Sequence, residues 1–182
     1  MRNRTANRRG VLGWSGAALA AVACCVSLST TSKPDLPVAR IPAGFTVNHK
    51  ADSAAMVNVA ASKPHGVKAC IYVDPDIHLG YGWAAMAESA AQTVIQGLIR
   101  QEQETSTVGG IKTEPAGQEG LDGGTLLYKK TTLPQIGTSC PPWVTYTGTW
   151  AGTCGDGVLI VSVGNVPNSK ESIKGLIDAM VK

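Results

Sequence analysis

WAAMAESAAQTVIQGLIRQEQE, residues 83–104, is the stretch on which the fold turns. It contains no proline, is rich in alanine, and repeats apolar residues at helical spacing: Met86, Ala90, Val94 and Leu98, with Ala87, Ala91 and Ile95 beside them. Steps of three and four residues place these side chains on one stripe, because a helical turn takes about 3.6 residues. Gln92, Gln96 and Arg100 fall on another side. The spacing predicts a long central helix over 83–104. A helix with a single apolar stripe must lie on something apolar, so the rest of the chain has to supply that surface.

The flanking sequence supplies strands. Before the helix, Gly44–Val47, Ala55–Ala60 and Val67–Val73 are short strand-like runs separated by Gly, Pro, Asn and Asp. After it come Thr107–Thr113, then Leu121-Asp122-Gly123-Gly124-Thr125, where Asp-Gly-Gly favours a tight hairpin turn. Leu126–Thr132 and Trp143–Ala151 follow, and Val158–Val163 is apolar but for Ser162, as a central strand would be. In Trp143–Ala151, Val144, Tyr146 and Trp150 share one face, and Thr145, Thr147 and Thr149 share the other, read as facing solvent. The chain closes on a second helix. Asn168 can cap it, with Glu171 three residues on, and Ile173, Leu176, Ile177, Met180 and Val181 trace its stripe while Lys170 and Lys174 face away. The expected class is α+β: an antiparallel sheet with a long central helix and a C-terminal helix packed on it.

The N-terminus reads differently. Four arginines, Arg2, Arg4, Arg8 and Arg9, precede an uncharged stretch from Gly10 to Ser32. A positive start, an apolar run and small residues before a cut form the pattern of an export signal. Asn7-Arg8-Arg9-Gly10-Val11-Leu12 resembles the twin-arginine export motif, and the same residues also suit an ordinary secretory signal. Ala21-Val22-Ala23 provides small residues before a cut at Cys24, and the segment also resembles a lipobox in which Cys24 would receive a lipid, although Ala21 stands where lipoproteins usually carry Leu. An uncleaved helix is the third mode, since about 20 apolar residues span a bilayer. The expected organisation is a signal segment at 1–23, a polar linker at 24–37 and one extracytoplasmic domain at 38–182, secreted or anchored to the outer face of a membrane.

Charge excludes one partner class. The net charge of +3 resides in the tail: without its four arginines, 12 Lys and Arg stand against 13 Asp and Glu. A nucleic-acid binder needs its positive charge on the folded domain, where it can neutralise phosphates.

The Ile41-Pro42-Ala43-Gly44-Phe45 opening, followed by strands, a helix, a Gly-rich meander and a closing helix, resembles the PsbP-like fold of small bacterial envelope lipoproteins of the LpqN type. The resemblance covers 38–182. It implies a non-enzymatic envelope accessory that binds or supports a partner, and it assigns no functional residue.

Candidate chemistry is sparse. Asp74, Asp76 and His78 alternate along Asp74-Pro75-Asp76-Ile77-His78, so in an extended chain they would share a face and could converge on zinc or manganese. Turn chemistry explains the same aspartates and proline without a metal. His49 and His65 lie in other loops. No nucleophile elbow, zinc-protease helix or phosphate loop occurs, and no motif calls for a cofactor. Cys70, Cys140 and Cys154 are disulfide candidates in an oxidising compartment, with Cys25 if it is retained. Cys140 with Cys154 works only if the chain folds back near Thr147-Gly148, and Cys70 with either stays open. Tyr81, Trp83, Trp143, Tyr146 and Trp150 serve either a small core or a ligand groove.

The function expected on these grounds is a non-catalytic envelope domain that binds a partner protein or apolar ligand, with membrane contact through the N-terminus if anchored. The alternative is a metal-dependent hydrolase using the Asp74-Asp76-His78 cluster.

Overall fold

A computed structural model describes residues 40–53, 55–66, 74–138 and 140–182. The signal segment and linker, with Cys24 and Cys25, the expected strand at 67–73 and Cys70 lie outside the described residues.

The described chain forms one eight-stranded antiparallel sheet with two helices. Its strands are β1 (Thr46–Asp52), β2 (Met56–Pro64), β3 (Asp76–Ala85), β4 (Ser106–Val108), β5 (Ile111–Leu121), β6 (Gly124–Leu133), β7 (Trp143–Cys154) and β8 (Gly157–Pro167). The helices are α1 (Glu88–Glu102) and α2 (Glu171–Val181). Strand order is β1-β2-β3-β8-β7-β6-β5-β4. One meander, β1 to β3, and a second, β4 to β7, are therefore joined by β8, which pairs with β3 on one side and β7 on the other. The hairpin at Asp122-Gly123 forms as its sequence dictates: both residues have positive φ, 44° and 75°, closing Leu121 onto Gly124.

Side-chain alternation explains why the central strand carries apolar residues on both faces. Leu159, Val161 and Val163 of β8 join the cluster containing Ile173, Ile177 and Met180 of α2. Val158 and Ile160 point the other way, into a smaller cluster with Ala91, Ile95 and Leu98 of α1. The helices thus cover opposite faces of the sheet, and β8 is buried on both.

The long central helix and the α+β class it implied are corrected. Strand dominates, and α1 is a crossover of 15 residues lying on one face. Its length fits the crossing. At about 1.5 Å per residue it spans about 22 Å, close to the five inter-strand steps of about 4.8 Å from β3 to β4. Residues 83–87, assigned to the helix from their alanines, are not helical. β3 continues through Ala85, paired with β2 and β8, because Tyr81 and Trp83 alternate into the α2-side core while Ala84 faces the other way. Pairing on both edges outweighs the helix preference of three alanines.

Two smaller corrections share this origin. Thr145 and Thr149 are 5% exposed rather than solvent-facing, since their face of β7 is the one α1 covers. At α2, Asn168 lies outside the helix with φ 52°, and the Ser169 hydroxyl accepts the Ser172 N–H at 3.2 Å. Lys170 reaches back to the sheet, with Nζ 3.0 Å from the Ala116 carbonyl and 4.9 Å from the Tyr128 ring centroid.

Candidate binding site

Along the α2 face of β2, Val57, Val59 and Ala61 are buried, and the row ends on Lys63. Lys63 lies opposite Ile77 of β3. Val166 and Pro167 end β8, and Ser172, Gly175 and Leu176 share one side of α2. With His65, these residues line a cleft of about 550 Å³ between the end of the sheet and α2. Ile77, Val166, Pro167 and Leu176 are its apolar surfaces, Lys63 and His65 its basic groups, and no carboxylate or thiol is among them.

Gly175 keeps the helical wall low. A Cβ placed there would meet nothing within 4 Å, so the cleft runs up to the helix backbone. The Ile41–Phe45 opening contributes nearby. The Phe45 N–H bonds the Pro42 carbonyl, Ile41 and Phe45 pack against the core, and the Lys63 ammonium lies 4.6 Å from the Phe45 ring centroid. This cation–π contact positions the charge of a lysine that lines the cleft.

The His65 ring makes contacts that orient it. Its Nε2 lies 3.1 Å from the Asp74 carbonyl, and its ring stands 6.0 Å from that of Trp143. The tryptophans differ in how their indole N–H groups are satisfied. Trp83 donates to the Cys154 carbonyl at 3.0 Å and Trp150 to that of Leu121 at 2.7 Å. Trp143 Nε1 is buried without a hydrogen-bond partner among the described residues. Tyr81, Trp83 and Trp150 belong to the core, whereas Trp143 and Tyr146 are half-buried.

Asp74, Asp76 and His78, the residues of the alternative metal reading, are held by local contacts. Asp74 turns back on its own chain: one carboxylate oxygen accepts the Asp76 N–H at 2.9 Å and the other lies 2.5 Å from His78 Nε2. Asn165, at φ 60°, donates to the Asp74 and Asp76 carbonyls at 2.8 and 2.7 Å and ties this turn to β8. Asp74 and His78 are thus brought together as a pair that closes a turn. Among the described residues, no group of three or more His, Cys, Asp or Glu is placed to hold a metal ion. His49 lies on the exposed edge strand β1.

Cys154 is a free, half-buried thiol, and burial raises its pKa. Cys140 is a half-cystine whose partner lies outside the described residues. The fold-back needed to join Cys140 to Cys154 is absent, because Trp143–Cys154 is one continuous strand.

Two buried or bridged acids stand elsewhere. Glu102, at the end of α1, is 9% exposed; burial raises its pKa, opposed by Lys129 Nζ at 3.6 Å. Glu119 of β5 accepts from Lys174 and from the Tyr128 hydroxyl, both at 2.5 Å, and these bonds lower its pKa. It ties α2 to β5 and β6.

The sequence offered no direct signal for the cleft. Lys63 and Gly175 are more than a hundred residues apart, and neither stands in a recognisable motif. No protein-family model matches this chain, and no curated protein matches it in sequence. No helix among the described residues is long and apolar enough to cross a membrane.

Proposed function

We propose that this is a binding domain acting outside the cytoplasm, and that the cleft beside α2 receives an apolar ligand. One observation carries the reading: a cleft of about 550 Å³, within the roughly 300–1,000 Å³ range of small-molecule sites, with a mostly apolar lining that includes a few polar groups. Binding is favoured over catalysis because, among the described residues, the lining holds one imidazole and no carboxylate or thiol to work with it. The Ser172 hydroxyl is engaged with that of Ser169 at 2.9 Å. The resemblance of the Ile41–Phe45 opening to PsbP-like envelope lipoproteins supports the same reading, as does the export pattern of residues 1–23.

The neutral fluorophore N-phenylnaphthylamine tests the cleft. Its emission should rise on adding the folded domain, and Gly175→Leu, which puts a side chain into the open space, should abolish the rise without loss of structure by circular dichroism. An undiminished signal in Gly175→Leu would move binding elsewhere. Fusing residues 1–32 to a reporter tests export, and retention of the reporter in the cytoplasm would refute it.

A further inference from the structure

The polar groups of the cleft are unbalanced in one direction. Lys112, Lys129, Lys174 and Lys182 each have a carboxylate within 4 Å. Lys63, like Lys50, Lys130 and Lys170, has none among the described residues. Its ammonium is held over Phe45, a contact that positions the charge and leaves its N–H donors unmatched. Of the two acids nearest in sequence, Asp52 ends β1 opposite Val57, and Asp74 is engaged by the Asp76 N–H and His78. Glu171, beside the lining residue Ser172, is 3.5 Å from the Ser169 hydroxyl. Next to His65 stands Trp143, whose buried Nε1 has no acceptor among the described residues. Among the described residues, Lys63 and the Trp143 Nε1–H are thus donors at this end of the fold without a matched acceptor. The apolar surfaces Ile77, Val166 and Leu176 continue from it along α2.

We propose that the occupant of this cleft is an anionic amphiphile of the fatty-acid kind. Its carboxylate pairs with Lys63, beside His65, and its hydrocarbon chain lies against Ile77, Val166 and Leu176, passing the gap left by Gly175. The proposal rests on the reading of the cleft as the binding site. A carboxylate supplies the acceptor that Lys63 lacks, and a charge-assisted hydrogen bond is stronger than a neutral one. A neutral lipid of equal length would gain only the apolar contact.

The experiment compares cis-parinaric acid with its methyl ester, by fluorescence titration of delipidated protein at neutral pH. The acid should bind at least about tenfold more tightly than the ester. Lys63→Met should remove that preference, so that acid and ester bind with equal affinity, because the methionine keeps an apolar stem and loses the charge. Lys63→Glu should make the acid the weaker ligand. Gly175→Leu should weaken both. Equal affinities for acid and ester in the wild type, or an acid preference that survives in Lys63→Met, would overturn the headgroup assignment and leave the cleft reading standing. If neither probe binds the wild type, the cleft reading itself falls. Circular dichroism and urea midpoints establish that each variant is folded, and Lys63→Met and Lys63→Glu provide two independent readouts at one position.

Discussion

Adding one methyl group at Gly148 should unseat α2. Gly148 lies in β7 between Tyr128 of β6 and Val163 of β8, beneath the helix. A Cβ there would run into Cγ2 of Ile173 and stand 3.3 Å from Ile177 Cδ1 and 3.4 Å from Leu126 Cδ1. Ile173 and Ile177 are fully buried, so neither can swing into solvent. Ile173 is also β-branched and confined to one main rotamer in a helix, so the backbone must give way. Overpacking of this kind costs about 1–3 kcal/mol, offset by about 0.4–1 kcal/mol because alanine leaves the unfolded chain less freedom. We expect Gly148→Ala to lose about 1–2 kcal/mol. With a urea m-value of about 1.5 kcal/mol/M, the unfolding midpoint falls by about 1 M. Gly97→Ala is the matched control. Gly97 is inside α1, and a Cβ there meets nothing within 4 Å, so the variant should gain up to about 1 kcal/mol from helix propensity. Ile173→Ala removes the clashing methyl. Combined with Gly148→Ala it should cost less than the sum of the two single changes, which a double-mutant cycle reads directly. A Gly148→Ala protein as stable as wild type, or strict additivity with Ile173→Ala, would refute the close approach.

Two further outcomes follow from buried charge and from the cysteines. Lys129→Met leaves Glu102 buried without its cation and should cost about 1–3 kcal/mol at neutral pH. Because the folded pKa of Glu102 is already raised by burial, the folded state holds the proton more tightly than the unfolded chain, so stability falls as pH rises through that window. The Lys129→Met penalty should therefore shrink on acidification, and Glu102→Gln should remove most of it; a pH-independent penalty in urea titrations would contradict this. Alkylation of unfolded, unreduced protein followed by peptide mapping should label Cys154 and spare Cys140. Labelling of both would contradict the cysteine assignments.

The sequence by itself determined the local elements whose cause is local. The stripe from Ile173 to Val181 gave α2, Asp122-Gly123 closed its hairpin because those residues suit positive φ, and the apolar run at Val158–Val163, interrupted by Ser162 alone, marked a strand buried on both faces. Only the tertiary structure decided where local preference and pairing conflict. Ala84 and Ala85 favour helix, yet they complete β3 because strands on both sides bond their backbone and Trp83 has a core to enter. Thr145 and Thr149 look like a wetted strand face, and they are buried because α1 crosses over it. Asp74, Asp76 and His78 carry metal-ligand chemistry in the right alternation, but a turn folds Asp74 back onto His78. The cleft belongs wholly to this second category. Lys63, Ile77, Val166 and Gly175 come from two hairpin strands, the central strand and the last helix, and they meet only because β8 inserts beside β3 and carries α2 back over the sheet. That juxtaposition depends on strand order, a long-range property that no local periodicity encodes.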